Sequence, residues 1–200
     1  LAVYDDGGGP ALYAGCSEAS GTGADRFIAK WNGSSWSALG SGVNDKVYAL
    51  TVFDEGGGQS LIAAGHFSRA GGSTVSKAAK WDGSTWSPLG TALASGGLYS
   101  VSAVTVHDDG SGPALYAAGD FPRKVVKWDG TSWLSLGLQG DATSYVTALA
   151  SWHDGNGPAL YAGGLFTSAI GAPAANIAKW DGSSWSALGE GTKGGVYRPA

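Results

Sequence analysis

Apolar residues in this chain are grouped into short runs that are separated by glycine-rich and acidic turns. One series of four such runs lies at residues 145–152, 159–166, 176–180 and 184–188. Runs of about four to eight residues between Gly, Pro, Asn and Asp are typical of β-strands, and tight turns of this composition join neighbouring strands into hairpins. The series therefore predicts two hairpins, which together make one four-stranded antiparallel sheet.

The second hairpin of this unit has an Asp-Gly-Ser-Ser turn at residues 181–184, between two tryptophans. If the turn centres on its Gly-Ser pair, Trp180 and Trp185 are directly opposed on one face of the sheet, where an aromatic pair is stabilising. If it centres on its Asp-Gly pair, the two indoles are offset. The sequence leaves both registers open.

The same unit occurs four times along the chain. A motif of Lys, Trp, Asn or Asp, Gly, two hydroxyl residues and Trp recurs at residues 30–36, 80–86, 127–133 and 179–185, and a Leu-Gly pair follows each copy. The first tryptophans of successive copies are 50, 47 and 52 residues apart. A glycine-rich turn precedes each motif, beginning at Asp5, Asp54, Asp108 and His153. A period of this length is the signature of a repeat array or a propeller.

A four-stranded sheet with aromatic residues on both faces cannot bury them alone, and stacking such sheets around an axis leaves only short edges. We therefore predict an all-β fold, a β-propeller of four-stranded antiparallel blades, with residues 1–200 as a single domain. The four blades are centred on the pairs Trp31–Trp36, Trp81–Trp86, Trp128–Trp133 and Trp180–Trp185. A solenoid usually has shorter repeats, and a sandwich would not repeat its sequence so closely.

Both chain ends fall inside the predicted first strand of a repeat. Head-to-tail pairing of the two ends would complete one blade and close the ring. Two copies could instead form a homodimer that completes a larger ring, and excision from a longer array is a third interpretation.

Three segments of the fourth repeat carry a family resemblance. Ala-Gly-Gly-Leu-Phe (162–166), Ile-Ala-Lys-Trp-Asp-Gly (177–182) and Trp-Ser-Ala-Leu-Gly (185–189) resemble the kelch-like propeller repeats of secreted bacterial proteins and the related Rax2-type repeats of fungal surface proteins. The resemblance covers the whole chain and implies the propeller fold. It implies no single function, because such propellers serve as enzymes, adhesins, lectins and scaffolds.

The first and third repeats depart from this pattern. Cys16 stands where the other repeats have glycine, and Glu18 replaces a phenylalanine, so we expect the first sheet to be the least regular. We interpret Cys16 as a small buried residue. The loop between Phe121 and Lys127 is shorter than its counterparts, which predicts a lopsided groove on that face.

Charge and composition exclude several classes of partner. The net charge is −4, and the 12 Lys and Arg residues are scattered, so no nucleic-acid partner is predicted. No apolar run reaches about 18 residues, so no membrane insertion is predicted. The 35 glycines, 9 tryptophans and few lysines favour an extracellular or cell-surface location. We predict no cofactor.

Metal binding and catalysis find little support. His66, His107 and His153 lie at three different phases of the repeat, so we interpret them as surface or turn residues and predict no shared metal site. The turns offer an alternative calcium site, with candidate ligands Asp5, Asp54, Asp108 and Asp154. These turns lack the alternating carboxylates and closing Glu of a calcium loop, so we interpret their acidic residues as turn-forming.

A catalytic residue is expected to break the pattern of the repeat. Every carboxylate pair that could serve glycoside hydrolysis belongs instead to a repeated turn. The sequence therefore favours a protein that is not an enzyme, without deciding the question.

One position varies between the repeats and indicates a binding surface. Directly after the glycine pair stand Ser17, His66, Asp120 and Leu165. The loops that follow, at residues 19–26, 68–77, 122–123 and 167–176, differ in length and contain Arg69 and Arg123. Because loops on one propeller face commonly bind ligands, these six are the candidate ligand-binding residues. The alternative explanation is sequence drift in solvent-exposed loops that have no binding role.

The repeated residues receive structural interpretations. The tryptophans are assigned to the core in preference to a sugar-stacking platform. The lysines beside them, at 30, 80, 127 and 179, either lay their stems along the indoles or pair with a nearby carboxylate.

Together these observations predict a noncatalytic extracellular recognition module that binds a protein or a glycan through the loops of one face. The first alternative is a structural or assembly repeat domain, acting as a spacer or an oligomerising unit. The second is a propeller hydrolase or lyase.

Overall fold

The computed structural model describes residues 1–17, 27–90, 93, 99–138, 144–155, 157–169 and 172–197. These residues form strands and turns and contain no helix, so none of them forms a helix that could cross a membrane. The chain divides into two compact units, Leu1–Val101 and Ser102–Ala200. Glu18 and the predicted loop at 19–26 lie outside the described residues.

The first unit contains two four-stranded antiparallel sheets. Sheet 1 consists of β1 (Ala2–Asp5), β2 (Pro10–Gly15), β3 (Ile28–Trp31) and β4 (Trp36–Ala38) in chain order. Sheet 2 consists of β5 (Val47–Asp54), β6 (Gln59–Gly65), β9 (Ala78–Trp81) and β10 (Trp86–Pro88). A small hairpin of β7 (Arg69–Ala70) and β8 (Ser73–Thr74) is inserted between β6 and β9.

The second unit repeats this arrangement. Sheet 3 consists of β11 (Val101–Asp108), β12 (Pro113–Gly119), β13 (Val125–Trp128) and β14 (Trp133–Ser135). Sheet 4 consists of β15 (Tyr145–His153), β16 (Pro158–Leu165), β19 (Ile177–Trp180) and β20 (Trp185–Ala187), with a small hairpin of β17 (Ser168–Ala169) and β18 (Ala172–Pro173). The short loop expected in the third repeat is a tight turn, in which the Lys124 amide donates to the Phe121 carbonyl at 2.9 Å.

The turn of the second hairpin has the register that opposes the two tryptophans. Trp180 pairs directly with Trp185, and the Asp181 amide donates to the Ser184 carbonyl at 3.2 Å, so the turn centres on the Gly-Ser pair. Gly182 has a φ of 99°, a value that favours glycine. The other three sheets have the same pairing, and the ring centroids of the four tryptophan pairs are 5.2–5.5 Å apart.

The core of each unit lies between its two sheets. In the first unit, Trp81 and Trp86 of sheet 2 belong to one buried cluster with Tyr4 and Tyr13 of sheet 1. The indole Nε1 of Trp86 donates to the carbonyl of Leu39 at 2.8 Å. Tight packing of this kind supplies most of the stability of a β-structure, since a single sheet cannot bury both faces.

The second unit has the same contact. Trp180 and Trp185 of sheet 4 cluster with Tyr116 of sheet 3. The indole Nε1 of Trp185 donates to the carbonyl of Leu136 at 2.9 Å. The assignment of the tryptophans to the core is therefore right for sheets 2, 3 and 4, where all six are buried. It is wrong for Trp36, which is 49% exposed.

Other expectations also need correction. Cys16 is half-buried, although it was expected to be buried, and its carbonyl accepts a hydrogen bond from the Val47 amide at 3.0 Å. Sheet 1 has the same four-strand order as the other sheets, although all three residues of its outer strand β4 are exposed. Near the end of the chain, the Val196 amide donates to the Gly164 carbonyl at 2.9 Å. This bond is the counterpart of the one from Val47 to Cys16, because the two pairs have the same positions in the repeat.

Candidate functional site

The first acidic residue of each turn shapes the turn itself. One carboxylate oxygen accepts hydrogen bonds from two glycine amides, and the three pairs are Asp5 with Gly7 and Gly9, Asp54 with Gly56 and Gly58, and Asp108 with Gly110 and Gly112, all at 2.7–3.0 Å. In the fourth turn the ring nitrogen Nδ1 of His153 accepts from the Gly155 amide at 3.1 Å. His153 is therefore a turn residue.

The second acidic residue binds the repeated lysine. Oδ2 of Asp109 accepts from the Tyr116 hydroxyl at 2.8 Å and from Nζ of Lys127 at 2.6 Å. The same trio is formed by Asp6, Tyr13 and Lys30, and by Asp154, Tyr161 and Lys179. In sheet 2 Glu55 pairs with Lys80 at 2.5 Å, and Ile62 stands where the other sheets have the tyrosine. Of the two interpretations of the lysines, pairing with a carboxylate is the one observed.

The four calcium candidates are thus engaged in contacts within the protein. Asp5, Asp54 and Asp108 each hold their own turn, and Asp154 balances the charge of Lys179. Within the described ranges, no three His, Cys, Asp or Glu side chains are grouped as metal ligands would be.

The six candidate binding residues are divided between the units. Ser17, His66 and Arg69 belong to the first unit, and Asp120, Arg123 and Leu165 belong to the second. In the second unit, Leu165 is exposed at the end of β16, Asp120 is half-buried, and Arg123 donates from its guanidinium to the Trp133 carbonyl at 3.0 Å. In the first unit, Ser17 is exposed directly after Cys16. His66 and Arg69 are each hydrogen-bonded to residues 44–46 of the preceding segment.

His66 is paired with an acidic residue from the preceding segment. Its Nδ1 lies 2.9 Å from Oδ2 of Asp45, and its backbone amide donates to the Lys46 carbonyl at 2.9 Å. Burial alone would raise the pKa of Asp45, but hydrogen bonds from His66 and from the Lys46 amide outweigh it and leave the pKa below its ordinary value. Asp45 is therefore ionised near neutral pH and orients the imidazole.

Asn44 fixes the loop that carries Arg69. Its side-chain oxygen accepts hydrogen bonds from the amides of Ser68 and Arg69, at 2.9 and 2.8 Å. Its side-chain nitrogen donates to the Ser68 hydroxyl at 3.2 Å. Arg69 in turn donates from its guanidinium to the Gly72 carbonyl at 3.1 Å. These hydrogen bonds hold the loop while the Arg69 residue remains exposed.

Asn44 and Arg69 border a shallow depression of about 190 Å³. Its lining consists of Ser41, Gly42, Val43, Asn44, Arg69 and Gly72. This volume is below the roughly 300 Å³ at which sites for drug-sized ligands begin, so the depression accommodates one sugar unit or one side chain. We call Asn44, Asp45, His66 and Arg69 together the loop site.

Sequence reasoning found two of these four residues and missed Asn44 and Asp45. The signal available was that residues 43–46 differ at every position from residues 192–195, which stand at the same place in the fourth repeat, and variation at a fixed place also drew attention to His66. The pairing of Asp45 with His66 was missed because 21 residues separate them in the chain.

His107 was expected at the surface or in a turn, and this is wrong. It is buried, its ring packs edge-on against Tyr116 at 5.4 Å, and its Nδ1 lies 2.8 Å from the Ser151 hydroxyl. Burial lowers the pKa of His107, against the opposing effect of Asp109 and Asp108, so the ring is neutral at pH 7. His107 is a core residue between sheets 3 and 4.

Comparison of the chain with protein-family models, curated proteins and solved structures found no match.

Proposed function

We propose that this chain is a noncatalytic recognition module of an extracellular or cell-surface protein, with a β-propeller architecture of kelch-like, Rax2-type repeats. The four sheets with one repeated strand order and one repeated tryptophan register support the four-bladed interpretation. The ligand is a glycan or a polar segment of a protein, bound at the loop site.

One observation carries this proposal: residues that vary between the repeats are brought together beside a concave surface. Asp45 and His66 are paired, and Arg69 lines the depression beside Asn44. Amide, carboxylate, imidazole and guanidinium groups are suited to hydroxyl and carbonyl partners, because they donate and accept in fixed directions. Preorganised polar groups on loops above a rigid sheet are typical of binding surfaces.

A glycan array together with a pull-down of surface proteins tests this proposal. We expect a bound partner whose affinity falls about tenfold or more in His66→Ala and in Arg69→Ala, as for central contacts of an interface. Lys193→Ala is the matched control, since it removes one exposed cationic side chain of the other unit. Asp120→Ala tests the equivalent slot of the second unit.

If neither assay detects a partner, or if Lys193→Ala weakens binding as much as Arg69→Ala does, the loop site is not the recognition surface. Weakening by Asp120→Ala alone would move the site to the second unit.

The structural or assembly alternative is favoured by a separate observation, the exposed aromatic side chains Trp36 and Trp152. The hydrolase alternative has less support. The Asp45–His66 pair is the orienting half of a general-base arrangement, but no contact among the described residues brings a nucleophile to Nε2 of His66.

A further inference from the structure

Each unit shows how one sheet of this protein covers the next. In sheet 2, four directly opposed residues form a row across the strands, Val52, Leu61, Trp81 and Trp86. We call such a line, on the face that carries the tryptophan pair, the tryptophan row. The row of sheet 2 packs on the opposite face of sheet 1, which carries Tyr4 and Tyr13 and which we call the tyrosine face.

The second unit has the same contact with different residues. The tryptophan row of sheet 4 consists of Ser151, Leu160, Trp180 and Trp185. It packs on the tyrosine face of sheet 3, which carries His107 and Tyr116. In both units the second tryptophan of the row donates to the carbonyl of the Leu-Gly pair that follows the covered sheet.

The tryptophan row of sheet 1 is partly exposed to solvent. It consists of Val3, Leu12, Trp31 and Trp36, in the same register as the buried rows. Trp36 is 49% exposed, whereas its counterparts Trp86 and Trp185 are 8% and 6% exposed. Val3 is 65% exposed. The same motif that forms a sheet-to-sheet contact twice is therefore presented to solvent here.

The tyrosine face of sheet 4 is partly exposed as well. Trp152 occupies the position of Tyr4, and its ring lies 5.8 Å from that of Tyr161. Trp152 is 62% exposed and Tyr161 is half-buried, whereas Tyr13 and Tyr116, the counterparts of Tyr161, are fully buried. Exposed clusters of large apolar side chains mark interaction surfaces.

The acceptor that the contact requires is also present at sheet 4. The Leu188 carbonyl accepts from the Gly191 amide at 2.9 Å, as the Leu39 carbonyl accepts from the Gly42 amide at 2.9 Å. Leu39 uses its second lone pair for the indole of Trp86. The turn after sheet 4 thus has the geometry that receives an indole in the first unit.

We propose that the tryptophan row of sheet 1 docks on the tyrosine face of sheet 4 of a second copy of this chain, with Nε1 of Trp36 donating to the carbonyl of the partner subunit's Leu188. The contact repeats between copies what sheets 1 and 2 form within one unit. Because the two surfaces differ, the interface is heterologous, and each copy uses one end for each neighbour. The proposal deepens the assembly alternative and does not depend on the loop site or its ligand.

Light scattering coupled to size-exclusion chromatography of the full chain tests the proposal. We expect the wild type to form an oligomer over a concentration series. Trp36→Arg and Trp152→Asp should each lose it, because a charge at either surface opposes burial. Leu134→Ser is the matched control: Leu134 is also 49% exposed but lies on sheet 3, and this variant should assemble as the wild type does.

Mixing the two inactive variants distinguishes a head-to-tail contact from a symmetric one. Each variant keeps one intact surface, so an equimolar mixture of Trp36→Arg and Trp152→Asp should form a complex with twice the mass of one chain. Far-UV circular dichroism of each variant confirms that its strands are retained.

A wild type that is monomeric at every concentration overturns the proposal. So does a folded Trp36→Arg or Trp152→Asp variant that still assembles like the wild type, or a mixture of the two that stays monomeric. Loss of glycan or protein binding at the loop site has no bearing on these results, which keeps the two proposals separable.

Discussion

The Tyr116 hydroxyl donates to Oδ2 of Asp109 at 2.8 Å, and the ring that carries it is fully buried between sheets 3 and 4. The same oxygen accepts a hydrogen bond from Nζ of Lys127 at 2.6 Å. Asp109 therefore joins the turn of one hairpin to the strand of the next.

Removal of this carboxylate should destabilise the second unit. In Asp109→Ala, Tyr116 and Lys127 lose their common acceptor, and we expect a loss of about 1–3 kcal/mol in the free energy of unfolding. Glu55→Ala is the matched control, because Glu55 has the same position in sheet 2 and pairs with Lys80, but Ile62 stands where sheet 3 has Tyr116. An exposed ion pair contributes about 0–1 kcal/mol. Urea unfolding of both variants measures the difference. Equal losses would contradict a role for the tyrosine.

The same residue predicts a dependence of stability on acid. Burial alone would raise the pKa of Asp109, but hydrogen bonds from Lys127, Ser111 and Tyr116 outweigh it and hold the pKa below its ordinary value of 3.8. Its contribution is therefore complete above that ordinary value and is lost as the pH falls towards the folded-state pKa. Urea midpoints measured at a series of acidic pH values should fall more steeply for the wild type than for Asp109→Asn. Parallel curves would show that another group governs the acid sensitivity.

The indole of Trp86 should contribute to the contact between sheets 1 and 2. Trp86→Phe removes the hydrogen bond to Leu39 and part of the packed ring, and we expect a loss of about 1–3 kcal/mol. Trp36→Phe changes an exposed member of the same motif and should cost less than about 0.5 kcal/mol. Both are made in a Trp152→Asp background, where the proposed contact between copies is absent. A larger loss for Trp36→Phe would invert the assignment of buried and exposed rows.

Two glycines of equivalent turns should differ in their tolerance of a side chain. Gly33 and Gly83 have φ values of 98° and 103°, so alanine is strained at both, by about 1–2 kcal/mol. A Cβ at Gly83 would also lie 2.9 Å from the carbonyl oxygen of Asp6. A Cβ at Gly33 would have no atom of another residue within 4 Å, its two chain neighbours aside. We expect Gly83→Ala to lower the melting temperature more than Gly33→Ala. Identical melting temperatures would mean that the Asp6 turn moves aside freely.

Asn44 should organise the loop site through its side-chain oxygen. Asn44→Ala leaves the amides of Ser68 and Arg69 without their acceptor, whereas Asn44→Asp preserves it. We expect faster hydrogen exchange at these two amides in the alanine variant and near wild-type exchange in the aspartate variant, because a hydrogen-bonded amide exchanges only when it opens. Fast exchange in the wild type would show that the loop is not held by Asn44.

The local structure of this protein could be predicted from its sequence because it depends on neighbours in the chain. The Asp-Gly-Ser-Ser turn holds Trp180 against Trp185, and the glycine turns lie under carboxylates two and four residues away. These interactions form within one hairpin, so a repeated sequence gave repeated strands. Even here the choice between two turn registers needed the structure.

What the tertiary structure decided is which copy of each motif is buried and which distant residues meet. Trp36 and Trp86 stand in nearly identical hairpins, yet Trp86 is buried against sheet 1 and Trp36 is 49% exposed, because burial depends on the neighbouring sheet. Asp45 and His66, which are 21 residues apart, meet because the start of β5 and the end of β6 are adjacent within sheet 2. Sequence periodicity determines the hairpin, and the packing of one sheet on another determines whether a side chain becomes core or surface.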